Sequence, residues 1–481
     1  MLRRTKIIAT LGPATDDPAV LDEMIQAGVD VVRVNFSHGG AEDHVRRAET
    51  VRNRARAHGR QIGVIADLQG PKIRIEGFRD GPVTLREGAR FVLDASLGPR
   101  DGSEERVGIT YKELPGDVER GDTLLLDDGR IVLWVDEVVG HEIVCRVVVG
   151  GELSDSKGIN RQGGGLSAKA ITEKDRADIR VAAEMQADYL AVSFPRNAED
   201  VQEARELFRA AGGEGGIIAK IERAEALDAI EDIIRTADAV MIARGDLGVE
   251  IGDAELPGVQ KRIIRLARSM DKIAITATQM MQSMVESQIP TRAEVFDVAN
   301  AVLDGTDAVM LSAETATGRY PAKAVAAMDR ICRGAERQAD SVAVERRSPV
   351  RFQRVDEAIA KASIYTANHL GVKAIAALTE SGATALWMSR VTSGIPIYAM
   401  TRHVATRRKV TLYRGVYPVS FDVTTTDHAT VNREIVDELV RRGAVRDGDL
   451  VIITKGDLSG VAGGTNAMKI VRVGELIGPA T

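Results

Sequence analysis

Eight short apolar runs in this chain end in residues equipped for chemistry. Their ends carry Thr10; Arg33, Asn35, Ser37 and His38; Asp67; Ser193; Lys220 and Glu222; Arg244, Gly245 and Asp246; Thr276 and Thr278; and Ser312 and Glu314. Phosphoryl transfer needs fixed cations around the moving group and a divalent ion to gather its oxygens. Arg33, Lys220 and the carboxylates Glu222 and Asp246 meet that demand on neighbouring runs. Two carboxylates with few histidines nearby suit a hard cation with oxygen ligands, Mg²⁺ or Mn²⁺, rather than zinc. Any one such residue is more often a loop charge or half of a structural ion pair; recurrence at consecutive run ends favours function. Ala243-Arg-Gly-Asp-Leu-Gly248 adds a candidate helix start, where Gly245 and Asp246 amides would hold a carboxylate or phosphate. No Walker A sequence and no strand-linked GxGxxG is present, which disfavours P-loop and Rossmann chemistry.

The positioning elements follow from the spacing. The runs are Lys6 to Thr10, Val31 to Asn35, Ile62 to Ala66, Tyr189 to Ser193, Ile217 to Ile221, Ala239 to Ala243, Ile273 to Thr276 and Ala308 to Ser312. Helical spacing fills Pro18 to Ala27, Ala198 to Ala210, Ala224 to Arg235 and Pro257 to Met270. Strands apolar on both faces, alternating with helices, imply a parallel sheet. Eight units predict a closed (β/α)₈ barrel of the TIM type, with chemistry at the C-terminal strand ends; a doubly wound open sheet is the alternative. Residues 71–168 change texture to turn-punctuated β-like stretches, including Asp128-Gly129, a hairpin signal. They read as an inserted, all-β, barrel-like lid domain. After about Ala339 a charged stretch around Glu345-Arg-Arg-Ser-Pro-Val-Arg reads as a linker. A C-terminal α/β domain follows. The expected division is residues 1–70 and 169–340 for the barrel, 71–168 for the lid and 350–481 for the last domain.

The 481 residues are 44% apolar and 28% charged, ordinary globular composition. A net charge of −6 provides no basic field for nucleic acid. Cys145 and Cys332 have neither disulfide-framework nor zinc spacing and read as buried small apolar residues. No signal-peptide pattern and no membrane-length apolar run occurs. The expectation is a cytoplasmic protein with no membrane or nucleic-acid partner.

Several segments together resemble pyruvate kinase over nearly the full chain. They are Thr5-Lys-Ile-Ile-Ala-Thr-Leu-Gly-Pro13, Arg33-Val-Asn-Phe-Ser-His-Gly39, Asp67-Leu-Gln-Gly-Pro-Lys-Ile-Arg74, Lys220-Ile-Glu222, Met241-Ile-Ala-Arg-Gly-Asp-Leu-Gly-Val-Glu250, Thr276-Ala-Thr-Gln-Met280 and Leu311-Ser-Ala-Glu-Thr-Ala316. The resemblance implies transfer of a phosphoryl group from phosphoenolpyruvate to ADP, giving pyruvate and ATP in the last step of glycolysis. Glu222 and Asp246 would ligate the divalent metal. Lys220 would stabilise the phosphoryl group in flight and the enolate oxygen, and Arg33 would grip the phosphate. Gly245, Asp246 and Thr278 would hold the substrate carboxylate, with Thr278 also in the relay that protonates the enolate carbon. Thr10, Pro13, Asn35, His38, Arg74 and Lys174 match positions facing the nucleotide. Many members carry Glu where this chain has Lys72, and those resemble potassium-dependent enzymes, with K⁺ at the counterparts of Asn35, Ser37 and Asp67. The Lys72 ammonium would replace that charge, so K⁺ is not expected to be required; the plain alternative is a surface charge at the lid hinge.

Thr379-Glu-Ser-Gly-Ala-Thr384 reads equally as a phosphate pocket at a helix start or an ordinary capping turn. The family uses the matching loop for a phosphorylated allosteric effector, which would place Thr379, Glu380, Ser381, Gly382, Ala383 and Thr384 around it, faced by a mobile loop at Gly460 to Asn466. The last domain is similar to the bacterial branch associated with AMP or sugar monophosphates, with fructose 1,6-bisphosphate the second choice. The cluster Arg402, Arg407, Arg408 and Lys409 would bind phosphate, contact a subunit or be a solvated face. The resemblance implies a homotetramer. Two other classes compete: a metal-dependent pyruvate-enolate carbon–carbon lyase or aldolase, which would not need the lid with Arg74 and Lys174, and a sugar-phosphate sensor, which would show damage among the strand-end residues.

Overall fold

The computed structural model describes residues 2–342, 352–423, 425, 427–457 and 463–475. The Glu345 to Arg351 stretch and Gly460 to Ala462 lie outside them. The eight runs form the strands β1 (Lys6–Thr10), β2 (Val31–Asn35), β3 (Gly63–Asp67), β4 (Tyr189–Val192), β5 (Gly216–Ile221), β6 (Ala239–Ala243), β7 (Ile273–Ala277) and β8 (Ala308–Leu311). Each pairs in parallel with its neighbours, and β1 pairs with β8 to close the barrel. The open-sheet alternative is thereby excluded. The two apolar faces of each strand have two destinations. Ile7 and Ala9 pack outward among the helices, while Ile8, with Ile65, Ile218 and Met310, fills the interior. Burial on both faces is what makes the runs continuously apolar.

Two boundaries moved for reasons that matter at the mouth. The third strand runs one residue further than its apolar run, taking in Asp67, which is wholly buried; an aspartate enters a strand there because cations await it. The segment Ala224 to Arg235 is not one helix but a 3₁₀ turn, Glu225–Leu227, followed by the helix Ile230–Thr236. Its start is diverted because the Ala224 N–H donates to Glu250 and the Glu225 carboxylate accepts from Gly165 of the insert.

The insert has its own core, from Ile73 to Ala168. It comprises a six-stranded sheet and a two-stranded one, the latter pairing Val83–Leu85 with Gly151–Leu153. The Asp-Gly signal is the connection between strands Thr123–Leu126 and Ile131–Val139, with Asp127, Asp128 and Gly129 all at positive φ. Where the insert returns to the barrel, Gly163, Gly164 and Gly165 also take positive φ. A Cβ on Gly164 would push the Glu225 carboxylate aside and would sit on a left-handed backbone, which glycine adopts without strain.

The last domain is a five-stranded sheet with four parallel strands and Thr465–Arg472 antiparallel at one edge. It docks under the N-terminal strand ends, and its apolar residues continue the cluster that fills the barrel interior. The basic cluster does not act as a unit. Arg408 donates to Asp188 at the barrel bottom at 2.9 Å, whereas Arg402 is exposed beside Glu380. Both cysteines are buried and free. Among the described residues, no helix is long and apolar enough to cross a membrane.

Candidate active site

Parallel closure brings the eight C-terminal strand ends to one face. At its centre, Lys220 at the end of β5 donates to Ser193 Oγ at 2.6 Å and pairs with Asp67 at 3.2 Å and Glu222 at 3.0 Å. Arg33 donates from Nε to Asp67 and from Nη1 to Thr10 Oγ1 at 3.3 Å. Glu222 also accepts from the Phe194 N–H at 2.8 Å, and Phe194 adopts positive φ. Sequence gave no sign that Phe194 would be held this way, since nothing in a phenylalanine codes for that backbone region.

Burial opposes the charge on Lys220, but Asp67 and Glu222 outweigh it and hold the ammonium above the usual lysine value. Burial likewise opposes ionisation of Asp67, yet Arg33 and Lys220 keep its carboxyl below the usual range. Glu222 is pushed up to about 7, by burial first and then by Asp246 and Asp67, against the pull of Lys220. Asp246 is raised too, by burial and by Asp128 at the tip of the insert's hairpin, against the pull of Lys220. Three carboxylates thus crowd around Arg33 and Lys220, with Lys72 acting on Asp246 from further off, and the raised Glu222 and Asp246 gain most from a neighbouring cation. Their oxygen donors suit a hard divalent cation there. Among the described residues no three His, Cys, Asp or Glu form a ready-made cage, so the remaining coordination falls to substrate and water, as is usual for Mg²⁺.

Asp246 lies on the first turn of the helix Arg244–Ile251, the helix start expected there. The Gly245 N–H donates to Thr278 Oγ1 at 2.9 Å, which joins two residues expected to share the substrate carboxylate. Thr278 and Gln279 both have positive φ, strained for a β-branched residue. Arg244 holds this turn, donating to Thr278 O at 2.8 Å while paired with Asp297 at 2.7 Å. Arg244 stood among the strand-end residues without a role, and Asp297 was not anticipated, because the clamp joins segments 53 residues apart.

A second group surrounds this centre. His38 is held below its usual value by burial and then by Lys72, Arg74 and Arg33. Lys72 is pushed down to about 8 by burial and then by Arg74 and Lys220, with Asp246 opposing. Lys72 makes no hydrogen bond to Asn35, Ser37 or Asp67 among the described residues; Asp67 takes Arg33 and Lys220 instead. Asn35 turns its side-chain oxygen to the Ser37 N–H. Lys174 bonds Phe36 O at 2.8 Å and Asp178. Pro13 is exposed in a 3₁₀ turn seated on Ala316, where the preceding Gly12 has no room for a Cβ.

In the last domain, Thr379, Glu380, Ser381, Ala383 and Thr384 line a cavity of about 350 Å³, opposite Arg402, Lys455 and Thr465. Gly382 stands apart from that lining. It caps the helix Ala383–Arg390 in a left-handed conformation, its N–H donating to Thr379 Oγ1. Capping and pocket therefore coexist on one loop. Of the expected facing loop, Gly463 to Asn466 is described, with Thr465 and Asn466 already in the edge strand.

Residues 2–325 match the pyruvate kinase barrel domain, and residues 357–471 match the pyruvate kinase alpha/beta domain. Pyruvate kinase II of Salmonella typhimurium is 56% identical over 98% of this chain and 99% of its own length. Pyruvate kinase of Haemophilus influenzae is 51% identical over 95% of this chain and 96% of its own. That of Mycobacterium intracellulare is 41% identical over 99% of both. The barrel, its strand-end charges and these full-length likenesses agree: the chain belongs to the pyruvate kinase family.

Proposed function

We propose that this protein catalyses phosphoryl transfer from phosphoenolpyruvate to ADP, giving pyruvate and ATP. The observation that carries the reading is Lys220, buried and kept charged between Asp67 and Glu222 with Asp246 alongside. A cation fixed by its neighbours stabilises developing charge without reorganising when the reaction occurs. Mg²⁺ or Mn²⁺ at Glu222 and Asp246 supplies, when bound, Lewis-acid charge to the substrate oxygens. Arg33, oriented by Asp67 and Thr10, grips the phosphoryl group. As the P–O bond to the enolate oxygen breaks and the bond to the terminal ADP oxygen forms, Lys220 faces both oxygens. Thr278, beside the Gly245 amide, positions the substrate carboxylate and belongs to the path that delivers a proton to the enolate carbon. That protonation consumes the enolate and draws the reaction towards ATP.

Thr10, Pro13, Asn35, His38, Arg74 and Lys174 face the nucleotide, a reading supported by the mutual influence of His38, Arg33, Lys72 and Arg74. Residues 71–168 act as a lid that excludes water, supported by the reach of Asp128 towards Asp246. Lys72 supplies the monovalent charge electrostatically, through Asp246 and Lys220 rather than by contact with Asn35, Ser37 and Asp67, so turnover needs no K⁺. The cavity around Thr379 to Thr384 takes a phosphorylated effector, AMP or a sugar monophosphate before fructose 1,6-bisphosphate. Exposed Ile289 and Phe296 on the barrel flank support assembly into a homotetramer. No observation favours the lyase or sensor readings.

The deciding experiment measures pyruvate formation from phosphoenolpyruvate and ADP with Mg²⁺, in K⁺ and in tetramethylammonium, across a panel of phosphorylated metabolites. Absence of pyruvate, or full turnover by Glu222→Ala, overturns the assignment. Loss of turnover in tetramethylammonium overturns only the role of Lys72.

A further inference from the structure

The insert returns to the barrel through residues 163–168, and the residues that receive this segment are the ones that follow Glu222. Arg223 comes directly after Glu222 and is buried. Its guanidinium donates to Leu166 O at 2.9 Å, to Ala168 O at 3.3 Å and to Glu225 Oε1 at 3.3 Å. The Glu225 carboxylate also accepts the Gly165 N–H at 3.2 Å. Between these two, the Ala224 N–H donates to the Glu250 carboxylate at 2.8 Å. That carboxylate accepts from Asn160 of the insert at 3.4 Å, and the Glu250 backbone oxygen accepts the Gly163 N–H at 3.0 Å. Glu250 shares the helix Arg244–Ile251 with Asp246. The insert is therefore anchored on the two elements that carry Glu222 and Asp246.

Attachment alone explains these bonds taken one at a time. It does not explain the second contact of Arg223. The guanidinium lies over the Phe194 ring, 5.7 Å from its centre, within cation–π range. Phe194 is the residue at positive φ whose N–H donates to Glu222 Oε2 at 2.8 Å. A bulky residue keeps that backbone region only when its surroundings hold it. One guanidinium thus touches both the carbonyls of the returning segment and the ring of the residue that orients Glu222. Arg196 provides the contrast. It donates to Ser167 O at 3.1 Å on the same segment, but its other partner is Asp200.

We propose that Arg223 is a positioning residue that couples the seating of the insert to the grip of Glu222 on its metal. The inference rests on the metal and lid readings given above. Seating the insert fixes Leu166 and Ala168, and through them the guanidinium, the Phe194 ring and the N–H that Glu222 accepts. A cation that draws Glu222 into place fixes the same chain of contacts from its other end. Coupling between two sites is reciprocal, and a contiguous set of packed groups can carry it.

The test reads the two ends separately, without nucleotide and without turnover. Hydrogen–deuterium exchange of the full chain follows the insert, and electron paramagnetic resonance follows Mn²⁺ binding. Mn²⁺ is expected to slow exchange in residues 163–168 of the parent by at least about fivefold, the low end of ordinary coupling between sites. Arg223→Met still binds Mn²⁺ but loses most of that slowing, and in turnover its KM for ADP rises by a larger factor than its kcat falls. Arg223→Lys keeps a cation near the ring and recovers part of the response. Arg196→Met keeps the slowing. Where Arg223→Met does not fold, Arg223→Gln gives the same readings. An exchange response left intact by loss of the Arg223 guanidinium overturns the proposal. Equal loss in Arg196→Met also overturns it, because any attachment of the segment then suffices. Mn²⁺ that binds the parent yet leaves residues 163–168 unaffected overturns this inference alone. Mn²⁺ binding undiminished in Glu222→Ala overturns the metal reading and this inference with it.

Discussion

Replacing Lys220 by methionine keeps the volume and removes the charge on which the reaction depends. The ammonium lies 3.2 Å from Asp67 and 3.0 Å from Glu222, both almost fully buried. At an effective dielectric of about 20, each contact is worth about 5 kcal/mol of gross Coulomb attraction. Most of that offsets desolvation, and removing one partner of a buried pair typically costs a net ~3–5 kcal/mol. Asp67 retains Arg33, so the lower end, about 3 kcal/mol, is expected in urea unfolding. Loss of one preorganised donor lowers kcat by about 10²–10³. Lys220 carries a full charge beside the transferring group, so a fall of at least about 10³ is expected, or about 4 kcal/mol. Pyruvate release under saturating phosphoenolpyruvate, ADP and Mg²⁺ measures it. Without the ammonium, Asp67, Glu222 and Asp246 face one another with Arg33 and the more distant Lys72 left to offset them, so Mg²⁺ should raise the unfolding temperature more in Lys220→Met than in the parent. A kcat within tenfold of the parent, or no added Mg²⁺ response, refutes the reasoning.

Arg244→Met frees the strained Thr278 turn and leaves Asp297 unpaired; about 2–3 kcal/mol of stability and most of kcat/KM for phosphoenolpyruvate should be lost, and a variant with unchanged kcat/KM would sink the clamp. Gly164→Ala forces a Cβ onto the Glu225 carboxylate at a left-handed position, with an expected cost of about 1–3 kcal/mol and a raised KM for ADP as the lid seats poorly; normal urea and nucleotide titrations would contradict the lid geometry. Lys72 offers a pH signature. Its folded pKa, about 8, lies below the ordinary lysine value, so the unfolded chain holds the extra proton between those values and the group's contribution to stability increases as pH rises through that window. Its catalytic charge disappears over the same rise: K⁺ should not affect turnover at pH 6.5 and should stimulate it at pH 9, and equal K⁺ response at both would remove Lys72 from the monovalent role.

The barrel was legible because its physics is local. Eight runs apolar on both faces, with helical spacing between most of them, admit few arrangements, and chain order places Arg33, Lys220, Glu222 and Asp246 at strand ends whatever the detailed packing. Residue type alone also announced oxygen-ligand chemistry. Other properties belong to contacts between distant segments. Asp67 reads as a residue just beyond a strand until Arg33 and Lys220 draw it in. Thr278 reads as an ordinary threonine until Arg244 and Asp297 hold it in a left-handed turn. Arg408 reads as surface charge until Asp188 of the barrel bottom meets it. Lys72 shows the same limit: its identity announces a cation, but which anions feel it depends on the fold. Sequence determines what each residue can do within its own element, through side-chain pattern and backbone preference. Burial, and the charges that burial brings together, decide which residues are altered by their neighbours, since desolvation and Coulomb energy depend on distances in space rather than along the chain.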